Sequence, residues 1–226
     1  MTRQERAERT RELVVRAAAE VVERDGVREA TLTRIVVAAG VSRGALYFHF
    51  DSKEQLADAV YESGIERLGR VVMEHYRRYR SALDTLVLLY ATLARALRHD
   101  VIARAMVRLT RETDVTSRFS IDPYREWWRV VYRLLVRARR QREVPADMDL
   151  EAEAVLLVSA GAGVEVLARR DPAWWDEGGV DRVRHMLLHV RQRTARTAES
   201  SVGTPPQWCA AGVSDDSVLE STVRLD

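Results

Sequence analysis

Residues 31–50, TLTRIVVAAGVSRGALYFHF, leave a chain few ways to fold. Two short apolar-periodic runs flank one glycine, Gly40, which permits the left-handed backbone of a tight turn. Thr31 is placed to cap the first run and Ser42 the second, each accepting a backbone N–H from the turn that follows. Ile35, Ala38 and Ala39 are expected to pack inward, the alanines letting a second helix approach closely. Val41 is expected to plug the turn, while Leu46 and Phe50 anchor the second helix. Two short helices joined this way form a helix-turn-helix, whose second helix then presents Arg43, Gly44, Tyr47 and His49 outward.

The rest of the chain also reads as helix, and strand alternation is sustained nowhere. A first helix is predicted over residues 3–24, with Leu13, Val14, Ala17, Ala18, Val21 and Val22 on one face and Asp25-Gly26 ending it. A fourth helix should run over residues 52–79, capped by Asp51 in box spacing with Glu54 and bent near Gly64 or Gly69. Further helices are predicted over 81–98, 101–112, 123–143, 149–169 and 180–197, Asp122-Pro123 being a cap followed by proline at the first helical position. Residues 198–226 turn to Ser, Gly, Pro, Thr and Asp without a period, and read as a flexible tail. The expectation is an all-α chain of about nine helices. Residues 1–52 would form a domain built on the helix-turn-helix at 31–50, and residues 53–197 a larger helical domain.

The outward face of the second short helix has the chemistry to read DNA. Arg43 can reach a base edge or a phosphate, and Gly44 lets the backbone come close. Tyr47 and His49 can donate to phosphates. Lys53 lies in the first turn of the fourth helix, where backbone N–H groups also favour an anion. The candidate DNA contacts are Thr31, Thr33, Arg34, Ser42, Arg43, Gly44, Ala45, Tyr47, Phe48, His49 and Lys53. A net charge of only +2 supplies no general basic field, so recognition must come from this local geometry. Lys53 is the lone lysine among 36 basic residues, and the arginine excess reads as codon bias rather than as a phosphate-binding signal. On the residues alone, an ordinary helical hairpin with an exposed aromatic remains the alternative.

Residues 40–50, GVSRGALYFHF, followed by Lys53-Glu54, resemble the DNA-binding signature of the tetracycline-repressor (TetR) family. One position departs from it: Arg34 stands where many relatives carry an acid that completes a box with Thr31, which weakens the cap and adds a cation near the DNA backbone. Residues 38–41 and 44–50, with Pro123-Tyr124-Arg125-Glu126-Trp127 further on, are similar to the γ-butyrolactone receptor branch, autoregulator receptors that control antibiotic production and morphological change. In that branch a tryptophan on the seventh helix lines the ligand pocket, and Trp127 matches it. The resemblance thus implies a repressor that binds a palindromic double-stranded operator as a homodimer. A small apolar signalling molecule would release it, and the genes it controls would be those of secondary metabolism. A TetR-type regulator that senses an antibiotic, a precursor or nothing is the competing reading. Gly64, Gly161 and Gly163 replace larger or polar residues of relatives. They would either enlarge the pocket or remove a ligand hydrogen bond.

On composition alone Trp127 is more simply a core aromatic; the resemblance makes it a pocket residue, with Val131 on its stripe. Met106, Leu109 and Thr110 share one side of the sixth helix and suit pocket lining and plain core packing equally. The run 154–164 is apolar nearly all round, which suits a helix buried on two sides. With Val180, Val183, Met186, Leu187 and Val190 it would build a dimer interface through the last two helices. His185 and His189 have helical-pair spacing but no third ligand, so no metal is expected. No nucleophile triad, phosphate loop or carboxylate pair is visible, so neither an enzyme nor a cofactor is expected. An architectural DNA-bending protein is a further rival class, and it would bind with little sequence discrimination. Cys209 is the only cysteine, the N-terminus lacks an apolar leader, and no run reaches the roughly 20 residues a membrane span needs. A cytoplasmic protein with no membrane partner is the expectation.

Overall fold

The computed structural model describes residues 2–76, 80–113, 119 and 121–175. The helix predicted over 180–197 and the tail 198–226 lie outside the described residues. Among these there are eight α-helices and no strand: α1 Arg3–Asp25, α2 Leu32–Ala39, α3 Arg43–His49, α4 Lys53–Tyr76, α5 Ala82–His99, α6 Val101–Glu112, α7 Pro123–Arg140 and α8 Leu150–Ala168, followed by a 3-10 turn, Pro172–Trp175. The chain divides into two compact units. One comprises residues 1–68 and 96–123, the other 69–95 and 124–226.

In the first unit α1 packs against α2, α3 and α6. Its buried face is Val14, Val15, Ala17, Ala18, Ala19, Val21 and Val22. Leu13, expected inward, is 47% exposed. The stripe simply runs one position later than its first apolar residue suggests. α6 buries Ile102, Ala103, Ala105, Met106, Val107, Leu109 and Thr110. Gly64 marks where α4 and α6 approach most closely. A Cβ built there would overlap Met106 Cβ and lie 2.7 Å from its Cγ and 3.3 Å from the Ile102 carbonyl. Met106 fills the space beside that glycine, so the missing side chain leaves no added room there.

The joint between α1 and α2 is held from two sides. Gly26 has φ 95°, a region that suits glycine, and a Cβ on it would meet the Arg108 guanidinium at 2.9 Å. Arg108 donates to the Glu23 carbonyl at 2.5 Å, and Glu112 accepts the Val27 N–H at 2.9 Å. Arg104 pairs with the Glu23 carboxylate at 2.9 Å and also donates to the carbonyls of Leu97 and Arg98. From α4, Lys53 Nζ donates to the carbonyls of Val27 and Arg28 at 2.8 and 3.1 Å. Orphan carbonyls after a helix end are thus satisfied by cations, which also suit the negative end of the helix dipole.

The second unit has its own core. Leu86, Leu89 and Tyr90 of α5, Trp128, Val131, Leu134 and Leu135 of α7, and Leu150, Ala154 and Leu157 of α8 pack together with Met148. α7 ends at Arg140, earlier than expected, because the next residues leave the helix to serve α5. Gln141 Oε1 accepts the Ala82 N–H at 2.9 Å and a Glu143 carboxylate oxygen accepts that of Leu83 at 3.0 Å. Trp174 and Trp175, expected in a loop, close the 3-10 turn. No helix among the described residues is long and apolar enough to cross a membrane.

Candidate functional site

The 31–50 segment folds as its caps require. Thr31 Oγ1 accepts the Arg34 N–H at 3.3 Å and Ser42 Oγ that of Ala45 at 3.1 Å. Gly40 sits between them at φ 64°, in the left-handed region. Behind the reader, Leu46 is fully buried and Phe50 is 2% exposed, with the Arg11 guanidinium 5.5 Å from the Phe50 ring centre. Ala38, expected inward, is exposed. On so short a helix the inner stripe runs through Leu32, Ile35, Val36 and Ala39, at i, i+3, i+4 and i+7, and Ala38 falls beside it. The α4 cap also lies one residue later than expected: Ser52 Oγ accepts the Gln55 N–H at 3.0 Å and Gln55 reaches back to the Asp51 N–H at 2.6 Å.

In front, Thr31, Thr33, Arg34, Ser42, Arg43, Gly44, Tyr47 and Phe48 are exposed, and Ala45, His49 and Lys53 half-buried. Arg43 donates to Thr33 Oγ1 at 3.3 Å, which ties the first side chain of the reader helix to α2. Phe48 stands edge-on to His49, with ring centres 5.0 Å apart, yet is 72% exposed. Val37, absent from the sequence-derived set, is 76% exposed and lies one turn beyond Thr33 on α2. The Arg34 guanidinium bonds Asp25 at 3.4 Å and the Glu29 carbonyl at 3.2 Å. Hydrogen bonding from Arg24, and then the charges of Arg24 and Arg34, hold the Asp25 carboxyl below its ordinary pKa. Arg34 and Lys53 are therefore both engaged at the joint between α1 and α2.

The ligand candidates fall into two groups. In the first unit Met106 and Leu109 are buried, and Thr110 donates its hydroxyl to the Met106 carbonyl at 2.9 Å, a bond within α6 itself. In the second unit Val131 is fully buried and Trp127 half-buried. Trp127 meets Tyr90 in a T-shaped contact with ring centres 5.1 Å apart. Tyr90 also lies against α8 at Gly161, where a Cβ would come within 3.3 Å of its ring. The Tyr90 hydroxyl is buried without a hydrogen bond of ordinary geometry, and burial raises its pKa well above the usual phenol value. Glu153 of α8 is buried too, with one carboxylate oxygen unpartnered, and desolvation pushes it up to about 7. Neither Tyr90 nor Glu153 carries a sequence signal, since each sits in a helical stripe like any core position.

The outer face of α8 is apolar and exposed, with Leu156 at 59% and Val166 at 47%. No group of three His, Cys, Asp or Glu side chains able to hold a metal occurs among the described residues.

Two family models match: "Bacterial regulatory proteins, tetR family" over residues 14–60, and "Tetracyclin repressor-like, C-terminal domain" over residues 80–188. The A-factor receptor protein of Streptomyces griseus is 32% identical over 190 residues, 84% of this chain, and the chain spans 65% of that relative's length. A crystal structure of a gamma-butyrolactone receptor (ArpA like protein) is similar with a TM-score of 0.69 and 31% identity, covering 83% of this chain and 99% of that one. CprB of Streptomyces coelicolor, solved in complex with its biological operator sequence, is similar with a TM-score of 0.64 and 30% identity, over 83% of this chain and 99% of that one. These relatives are receptors and regulators rather than enzymes. The chain belongs to the tetR family of bacterial regulatory proteins.

Proposed function

We propose that the chain is a ligand-responsive transcriptional repressor that works in the cytoplasm on a palindromic operator. The carrying observation is the outward face of α3, where Arg43, Gly44, Tyr47 and Phe48 are exposed over the buried anchors Leu46 and Phe50. Arg43, tied to Thr33, reads a base edge or phosphate, and Gly44 and Ala45 admit the backbone. Thr31, Thr33, Ser42, Tyr47 and His49 bond phosphates, and Phe48 meets a thymine methyl. Arg34 and Lys53 serve the same surface by ordering the joint behind it. The similarity to an operator-bound relative supports this reading.

Two copies pair through α8, whose exposed Leu156 and Val166 need a cover, and through the helix predicted over 180–197. A small apolar signal molecule of the γ-butyrolactone type binds at Trp127 and Val131. α6, with Met106, Leu109 and Thr110, takes part in the response. Release occurs to the extent that the ligand prefers the conformation that fits the operator poorly. Residues 1–52 supply the reading function, 53–197 sensing and pairing, and the controlled genes belong to secondary metabolism.

Footprinting on the chain's own promoter, followed by gel-shift titration of Arg43→Ala, tests the reading. The substitution should weaken operator binding by about 1–3 kcal/mol and leave the melting temperature unchanged. Undiminished affinity, or equal affinity for unrelated DNA, would refute it.

A further inference from the structure

We propose that the Tyr90 hydroxyl, set between Trp127 and Gly161, donates a hydrogen bond to a neutral carbonyl oxygen of the small molecule this protein senses. The inference rests on the sensor reading above and adds to it the polar group the ligand must carry and the residue that reads it.

Three observations converge on Tyr90. Its ring is only 8% exposed, and its hydroxyl makes no hydrogen bond of ordinary geometry; the Trp127 indole acts on its oxygen as a donor, which leaves the O–H itself without an acceptor. Buried hydroxyls almost always find a partner, because an unmet one costs its full desolvation penalty. An orphan in an otherwise well-packed cluster therefore marks a place where something outside the protein supplies the partner. Second, Tyr90 is held rather than loose. Trp127 abuts its ring at 5.1 Å between centres, and the α8 backbone at Gly161 lies so close that a single methyl there would be in tight contact at 3.3 Å. A glycine thus seats the ring and aims the hydroxyl. Third, Trp127 is half-buried, unlike Trp128 next to it, which is 5% exposed. A partly exposed indole in contact with a buried donor combines an apolar surface with one polar point, the usual make-up of a small-molecule site.

The surroundings choose the kind of oxygen. Tyr90 belongs to an apolar core cluster with Leu86, Leu89, Trp128, Val131 and Leu157. A carboxylate brought into such apolar surroundings would lose its hydration, which is far costlier than burying a carbonyl that accepts one hydrogen bond. Burial also keeps the phenol protonated, so it is a donor throughout the physiological range. A lactone, ester or ketone fits, and an ether is a poorer acceptor.

The test uses the full-length protein and matched probe pairs: a 2-acyl-γ-butyrolactone with the corresponding tetrahydrofuran, and cyclohexanone with tetrahydropyran. Binding is read by Trp fluorescence and calorimetry for wild type and Tyr90→Phe, with thermal melting of both. Wild type should bind each carbonyl probe several-fold and up to about tenfold tighter than its ether, the range for one net hydrogen bond. Tyr90→Phe should erase that preference while its melting temperature changes little, since the hydroxyl has no hydrogen bond of ordinary geometry to lose. A preference that survives in Tyr90→Phe, no binding of any carbonyl probe, or a variant that melts markedly lower overturns the assignment. An operator gel shift with the same probes separates the two ideas. Carbonyl preference erased by Tyr90→Phe without operator release in wild type upholds the site and refutes the sensor mechanism.

Discussion

Gly64→Ala adds one methyl group at the closest approach of α4 and α6, and its effect can be worked out from the contact. Carbon atoms need about 3.5–4 Å between centres, and the new Cβ would lie 2.7 Å from Met106 Cγ and closer still to Met106 Cβ. Rotating Met106 moves Cγ away but not Cβ, which is fixed to the α6 backbone. The Ile102 carbonyl at 3.3 Å blocks the other side. One helix must therefore shift by about 1 Å, and the penalty belongs near the top of the roughly 1–3 kcal/mol range for overpacking. Replacing glycine by alanine inside a helix returns about 1 kcal/mol. The net expectation is destabilisation by about 2 kcal/mol, or roughly 4–8 °C in melting temperature for a chain of this size. Gly69→Ala, on the same helix with nothing within 4 Å of the added methyl, is the internal control, and it should gain up to about 1 kcal/mol. Urea titration of the two variants beside wild type decides the matter. Equal shifts in the same direction would show that helix propensity alone acts at Gly64, and that the close approach of α6 is wrong.

Glu153, pushed up to about 7 by burial, predicts a pH dependence of opposite sign to that of a salt-bridged acid. Between its ordinary value of 4.5 and about 7 the folded state holds the proton that the unfolded state has lost, so stability should fall as pH rises through that window and level off above it. Glu153→Gln should flatten this stretch of a urea-melt pH series and be the more stable protein at pH 8; an unchanged slope would place the carboxyl in water. Trp127→Ala should keep operator affinity yet lose inducer release, at a cost below the roughly 3–5 kcal/mol of deleting a fully packed aromatic because the indole is only half-buried. A gel shift with a culture extract as inducer source, beside a thermal melt, checks both parts.

Most of the helix order is legible in the sequence, because local signals set it. Thr31 and Ser42 cap where their side chains suggest, and Pro123 begins α7 as its fixed φ favours. What escaped is long-range. Nothing near Gln141 and Glu143 announces that they will leave α7 to cap α5, some 60 residues away in sequence. Nothing near Lys53 reveals that its ammonium will close the carbonyls of Val27 and Arg28. The candidate reader was readable because its chemistry lies within twenty consecutive residues. Tyr90, Trp127 and Gly161 meet only through the packing of α5, α7 and α8, and periodicity assigns each to a stripe without saying which stripes touch.

The reader helix divides its labour sharply between Leu46, fully buried, and Phe48, 72% exposed two residues later. A side chain that carries no packing can be exchanged at little cost to folding, since surface substitutions usually stay within about 0.5 kcal/mol. On the proposed reading of this face, Arg43, Gly44, Tyr47 and Phe48 form an interchangeable vocabulary on a fixed grammar of Thr31, Gly40, Ser42, Leu46 and Phe50. Lineages that duplicate such a gene can drift to new operators one letter at a time without passing through an unfolded intermediate. An engineer can use the same freedom, building a library at those four positions in which nearly every member still folds.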